Sequence, residues 1–303
     1  MSRIGGLGAN VFDTLYNIPT YPKEDTKMRA AASKTAGGGP VATGLVAAAK
    51  LGEDTAYIGV LSDDNGGRFL KEDFLKYGVE TKYIDVKSGY RSFQSVLWLC
   101  EDTATRTCVF DKGDLPPLVL NDAQKQAIRD AKLLMVDGND MDAAVEGAKI
   151  ARKNGVKVLY DCGGLYEGVE RLLALTDIMI PSEEFSLGHT GCTTAEEAAK
   201  KLYETYHPEV VVITQGKKGG IIYDGKDITA YPIYPAVVVD SNGSGDVFHG
   251  AFAAATVMGF DYLKCCHFSS AVSGLKCTGV GARESVPDFE TTKNYLKENG
   301  YEL

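Results

Sequence analysis

Short, largely apolar runs recur along this chain, separated by longer stretches of helical periodicity, and that alternation restricts the possible fold more than any other feature of the sequence. Runs at 4–7, 56–60, 133–136, 156–160, 178–180 and 210–214 have the composition of buried strands. Patterns at 42–50, 68–77, 140–153 and 194–206 predict helices between and after them. Strands apolar on both faces and linked through helices form a parallel sheet covered on both sides. Asp224-Gly225-Lys226-Asp227, between 221–223 and 228–231, is a D-G turn signal that adds an antiparallel hairpin at one edge. With 303 residues, 44% of them hydrophobic, the chain can bury one large core, alone or with a small appendage.

Two segments break the alternation, 13–35 and 87–113, and both have extended character. Residues 90–99 and 105–110 alternate in part around Glu101-Asp102-Thr103-Ala104, which predicts a hairpin. Cations exceed acids in both segments, with Lys23, Lys27, Arg29 and Lys34 in the first and Lys87, Arg91, Arg106 and Lys112 in the second. Solvated edge-strand lysines account for such an excess, and it also offers local attraction to an anion. The whole chain has a formal charge of −9 and no basic cluster longer than a pair, which argues against nucleic acid and anionic membrane as partners. Seven cysteines without a C-x-x-C predict neither a disulfide framework nor a zinc site, only reduced thiols. Arg3 precedes an apolar stretch from Ile4, but Asn10 and Asp13 cut it short and no A-x-A pattern follows, so no signal peptide and a cytoplasmic location are expected.

The chemistry concentrates in 236–255. Val237, Val238 and Val239 have the composition of a short buried strand, and 247–258 that of a core helix too short to span a membrane. Gly243 and Gly245 between them allow the amides of Asn242 to Asp246 to point together at the positive end of that helix, where a phosphate would sit. Asp246 then faces the same place and can take a proton from an attacking hydroxyl; a plain helix cap behind a tight turn is the alternative. Rival glycine motifs fail. Gly6-Leu7-Gly8 meets Val11 where a dinucleotide fingerprint needs glycine, and Gly39 to Gly44 is followed by Leu45 and Val46 instead of the Lys and Ser/Thr of a phosphate loop.

Asp240-Ser241-Asn242-Gly243-Ser244-Gly245-Asp246 resembles the D-T-x-G-A-G-D signature of the ribokinase-like, or PfkB-type, carbohydrate kinases. Gly38-Gly39-Pro40-Val41-Ala42-Thr43 resembles that family's G-G-x-x-x-N region, with Thr43 where Asn is usual. Asp13, Ser62-Asp63-Asp64-Asn65-Gly66-Gly67, Thr214-Gln215-Gly216 with Gly219, and Gly279-Val280-Gly281-Ala282 extend the resemblance over the chain. It implies an α/β fold, a three-layer, doubly wound and mostly parallel sheet with a small β-sheet lid. The core would comprise 1–12, 36–86 and 114–303, and the lid 13–35 and 87–113, through which a homodimer forms.

The implied reaction is transfer of the γ-phosphoryl of MgATP to a sugar hydroxyl. Asp246 would be the base, with the amides of Gly243, Ser244 and Gly245 on the transferring group; Asp13, Gly38, Gly39, Thr43, Lys27 and Asn139 would hold the sugar. Thr214, Gly216, Gly219, Asn242, Gly243 and His249 would line the nucleotide side, His249 as a packing or adenine-side residue. The family's N-x-x-E falls on Ser182-Glu183-Glu184-Phe185, so either Glu183 or Glu184 serves Mg²⁺ through water or the ATP phosphates chiefly hold it, and Asp240 with 279–282 resembles a loop that binds a monovalent cation such as K⁺. Leu275-Lys276-Cys277-Thr278 is most similar to the sulfofructose kinase branch, but Asn139 stands where that branch is expected to carry an Arg. A neutral sugar, or an anion held by Lys27 or Arg29, is therefore expected. Two alternatives remain open: a nucleoside kinase, with Phe93, Trp98 or Phe110 for stacking, and a ligand-binding pseudokinase.

Overall fold

Eight strands form the central sheet of the computed structural model, which describes residues 4–103 and 105–303. In chain order the strands are β1 Ile4–Leu7, β2 Val11–Ile18, β3 Ala32–Gly38, β4 Thr55–Tyr57, β5 Gly59–Ser62, β6 Ile84–Lys87, β7 Gln94–Cys100, β8 Thr105–Asp111, β9 Leu133–Val136, β10 Lys157–Cys162, β11 Ile178–Pro181, β12 Val210–Thr214, β13 Gly220–Tyr223 and β14 Ile228–Tyr231. The helices are α1 Pro40–Lys50, α2 Asn65–Lys76, α3 Asp122–Asp130, α4 Met141–Lys153, α5 Val169–Leu173, α6 Glu183–Thr190, α7 Ala195–Tyr206, α8 Ser244–Met258, α9 Tyr262–Lys276 and α10 Phe289–Glu298. The central order is β14-β13-β12-β11-β10-β9-β1-β4, parallel from β12 to β4 and antiparallel at the β13–β14 hairpin.

Side chains alternate across this sheet between two buried faces, so strands such as β9 and β12 are apolar on both. Leu133, Met135, Val210 and Val212 join the core beneath α1, α8 and α9, while Leu134, Val136, Val211 and Ile213 join the core beneath α4 and α7. Helix starts follow local chemistry: Asp140 and Thr194 cap α4 and α7 by accepting from Ala143 N and Glu197 N. Among the described residues no helix is long and apolar enough to cross a membrane.

A second sheet, ordered β3-β2-β7-β8, forms the lid. Its strands β2 and β3 reach Val11 and Gly38, beyond the segment the sequence pattern marked. Asp13 pairs with Ser95, and Ser95 with Phe110, so period-two alternation brings these three to one face, with Leu97 and Cys108 beside them. Two expectations are corrected. The run at 56–60 is not one strand: it divides at Ile58, because β5 leaves the central sheet to pair with β6. Val237, Val238 and Val239 form no strand and are 84%, 60% and 59% exposed. β-branched composition suggested a strand, but no neighbour offers a ladder; the segment is held instead by Val239 N and Asp240 N donating to the Cys277 carbonyl. Arg3, and Ala104 of the expected hairpin turn, lie outside the described residues.

Candidate active site

The carboxyl ends of the parallel strands converge on the start of α8, where open α/β sheets place their ligands. Gly243 precedes the helix at φ 72°, and a Cβ there would stand 2.5 Å from the Ala282 Cβ, so both conformation and space require glycine. Asp240 staples the loop: its Oδ1 accepts from Asn242 N at 2.8 Å and its Oδ2 from Gly281 N at 2.9 Å. Ser244 N donates to the Ser241 carbonyl at 3.2 Å. The amides of Asn242 and Ser244 are thus engaged inside the loop, correcting the expectation that all of 242–246 point outward. Those of Gly243, Gly245 and Asp246 keep no partner among the described residues, at the positive end of a 15-residue helix.

Asp246, in the first turn of α8, borders a cleft of about 250 Å³ together with Asp13, Gly38, Gly39, Ser95 and Arg106. Burial raises the Asp246 pKa above the ordinary carboxylate range, Asp161, Asp137 and Asp13 add to that, and His249 opposes them. Asp13, on β2, is buried, and its Oδ1 accepts from Ser95 Oγ at 2.6 Å. Burial pushes its carboxyl up to about 6 against the lowering effects of Ser95 and Arg283. A Cβ on Gly38 would lie 2.0 Å from Asp13 Oδ2, so glycine there is what lets carboxylate and backbone share one wall.

Arg283 fixes that wall from behind. Its guanidinium is 3% exposed and donates to Asp73 Oδ2 at 2.6 Å, the Gly38 carbonyl at 2.7 Å and Asn10 Oδ1 at 3.1 Å. Thr43 is fully buried inside α1, where its Oγ1 accepts from Arg283 Nε at 3.5 Å, and contrary to expectation it does not line the cleft that Asp246 borders. Lys27 and Arg29 are exposed on the β2–β3 connection and border neither cleft, whereas Arg106, on the inner side of the lid, lines the one that holds Asp246. Asn139 lies in a neighbouring cleft of about 700 Å³ with Lys112 and Arg171, and its amide donates to Asp137 Oδ1 at 2.9 Å.

Of the two expectations for His249, packing and an adenine-side place, the structure fits the first. The residue is 6% exposed, with Nε2 donating to the Ile180 carbonyl at 3.0 Å and Nδ1 3.0 Å from Asp161 Oδ2, so it serves the interior and not an adenine surface. The carbonyl accepts from Nε2, and the Asp161 carboxylate beside Nδ1 favours a charged ring. Burial works against that charge, but Asp161 outweighs it and the pKa rises to about 9. Of the residues expected to meet nucleotide, Thr214 and Gly216 sit at the carboxyl end of β12. Gly219 is buried, and a Cβ there would meet the Tyr231 carbonyl at 2.2 Å, which makes it a packing residue. Glu183, half-buried in the first turn of α6, accepts from Gln215 Nε2 at 2.7 Å and so lies against that turn. Asp161, Ser95 and Arg283 escaped sequence reasoning. Only the place of Asp161 at the carboxyl end of a strand signalled it.

A carboxylate in the first turn of a helix, on a cleft that Gly243 with its free amide also borders, suits transfer of a phosphoryl group to an alcohol, and this sheet order with a β lid is the ribokinase fold. The model of the pfkB family carbohydrate kinases matches residues 9–288, and the chain belongs to that family, as a phosphotransferase with an alcohol acceptor. It is 26% identical over 297 residues to the ribokinase of Haemophilus influenzae, covering 96% of this chain and 97% of that one. It is 27% identical over 294 residues to the 5-dehydro-2-deoxygluconokinase of Clostridium perfringens, covering 88% and 85%. The structure of Arabidopsis thaliana ribokinase complexed with ribose and ATP superposes with a TM-score of 0.88 at 27% identity, over 98% of this chain and 99% of that one.

Proposed function

We propose that this carbohydrate kinase transfers the γ-phosphoryl of ATP to a hydroxyl of a free monosaccharide, with Asp246 as general base. The observation that carries this reading is the meeting of Asp246, Asp13 and the Gly38-Gly39 backbone on one cleft. Asp13 and the Gly38-Gly39 backbone orient the acceptor, Asp246 takes the proton of its attacking hydroxyl, and the amides of Gly243, Gly245 and Asp246 face the charge on the transferring group. The nucleotide lies along Thr214 and Gly216, and the exposed Val237, Val238 and Val239 offer its base an apolar wall. Mg²⁺ bound with the nucleotide neutralises charge on its phosphates. Glu183 is the carboxylate placed to help hold it, and one carboxylate plus phosphate oxygens is a donor set this ion accepts. A homodimer through the lid is consistent with the cross-strand pair Val96 and Val109, 39% and 64% exposed.

Arg106 on the cleft supports a second reading, an acceptor that itself carries a phosphate or sulfonate. One experiment separates these: ADP release from MgATP against ribose, fructose, other ketoses, their 6-phosphates, sulfofructose and nucleosides. Saturable turnover with a neutral sugar, lowered about 10² to 10⁴-fold in kcat by Asp246→Asn with the fold intact, is the expected result. Turnover with an anionic sugar alone, sensitive to Arg106→Ala through KM, selects the second reading. Nucleoside turnover, or ATP binding without turnover, overturns both.

A further inference from the structure

The monovalent cation that the family resemblance implies at Asp240 does not fit the residues present. A bare monovalent cation needs a shell of oxygens, chiefly carbonyls, turned on one point. Here both Asp240 carboxylate oxygens are taken by the amides of Asn242 and Gly281. The carbonyls of Asp240 and Asn242 accept from Lys276 Nζ, the first at 2.8 Å. Lys276, in the last turn of α9, is 0% exposed, and among the described residues no carboxylate stands within ion-pair distance of it. A buried ammonium is costly unless something demands it, and surface lysines of this length normally reach water. This one instead spends its hydrogens on the two carbonyls that precede the Gly243 turn.

We propose that the Lys276 ammonium is this kinase's own monovalent cation, fixed by covalent attachment where a soluble ion would otherwise gather the loop carbonyls. It is a positioning residue. By holding the Asp240 and Asn242 carbonyls it aims the free amides of Gly243, Gly245 and Asp246, and it leaves a positive charge behind the transferring phosphoryl. Burial lowers its pKa and the Asp240 carboxylate opposes that, consistent with a charge held in place by the loop it organises. Ser273, one turn earlier on α9, donates to the Ser244 carbonyl at 2.8 Å, so the same helix end grips both sides of the turn.

The test uses the intact protein in tetramethylammonium buffer, with KCl added or withheld. Equilibrium dialysis with Rb⁺ and thermal melting need no acceptor and therefore stand apart from the assignment of the reaction. For the natural chain the expected results are no retained Rb⁺, the same melting temperature with and without K⁺, and kinase turnover that K⁺ leaves unchanged. Lys276→Ala should lose about tenfold or more in kcat, bind a single Rb⁺ per chain, and recover activity when K⁺ or ammonium is supplied. Retention of a single Rb⁺ by the natural chain, or turnover that rises severalfold with K⁺, overturns the proposal. So does a Lys276→Ala protein that turns over normally without K⁺, or one that is slow but neither binds Rb⁺ nor responds to any cation. If Lys276→Ala fails to fold, the measurements on the natural chain still decide.

Discussion

At the scale of single residues the site is governed by carboxylates that burial has made reluctant to ionise. In its proposed role as base Asp246 must be ionised to accept a proton, so activity is expected above its raised pKa and should be lost as pH falls through it. The acid limb of kcat/KM should therefore lie well above pH 4, where an ordinary Asp would place it. His249 lowers the Asp246 pKa. His249→Asn should move that limb to higher pH in a rate profile, and should destabilise the fold by about 3 kcal/mol by leaving the Asp161 carboxylate buried beside no cation. A profile that stays put would show that Asp246 does not sense the pair. The sequence marked Asp246 because its chemistry is local, a glycine turn running into an acidic first turn. It could not assign roles to Asp161, Lys276 or Arg283, whose partners lie far away in the chain and meet them only after folding.

At the scale of elements, what was legible was whatever repeats with a short period. The apolar runs at 4–7, 133–136 and 210–214 became β1, β9 and β12 with those bounds, and Gly225 did turn the hairpin at the sheet edge. Helix α9, with serines, Lys276 and apolar residues buried together and no one-sided apolar stripe, carried no periodic signal and was not anticipated. The division at Ile58 was equally hidden, because a change of strand partner leaves no mark on composition. The pairing of α1 with α8 rests on one close approach: a Cβ on Gly250 would lie 2.1 Å from the Gly44 carbonyl. Gly250→Ala must push the two helices apart, and since α8 carries Asp246 the displacement reaches the base. A loss of about 2 kcal/mol, near 5 °C in Tm, with a fall in kcat larger than any change in KM, is expected by calorimetry and steady-state kinetics. Unchanged stability would mean that the helices absorb the extra methyl without moving.

At the scale of the molecule, the lid sheet and the start of α8 share the cleft, and the lid presents Cys108 and Phe110 toward it while leaving both exposed. Closure on a bound sugar would cover them. Cys108 is the exposed thiol among the described residues, and Cys192, half-buried on the core, serves as an internal control. Alkylation followed by mass spectrometry should find Cys108 protected about tenfold or more by the best acceptor with a nonhydrolysable ATP analogue, with Cys192 unaffected. Equal labelling of Cys108 in both states would mean that the lid does not close. One helix also unites what the chain separates. The end of α9 holds the loop that leads into Asp246 through Ser273, Lys276 and the Cys277 carbonyl, acting as a splint along the whole turn. A substitution on the outer surface of α9, remote from sugar and nucleotide alike, can therefore tilt the reaction centre as a rigid piece, and variants that alter turnover while sparing both binding constants should be sought there.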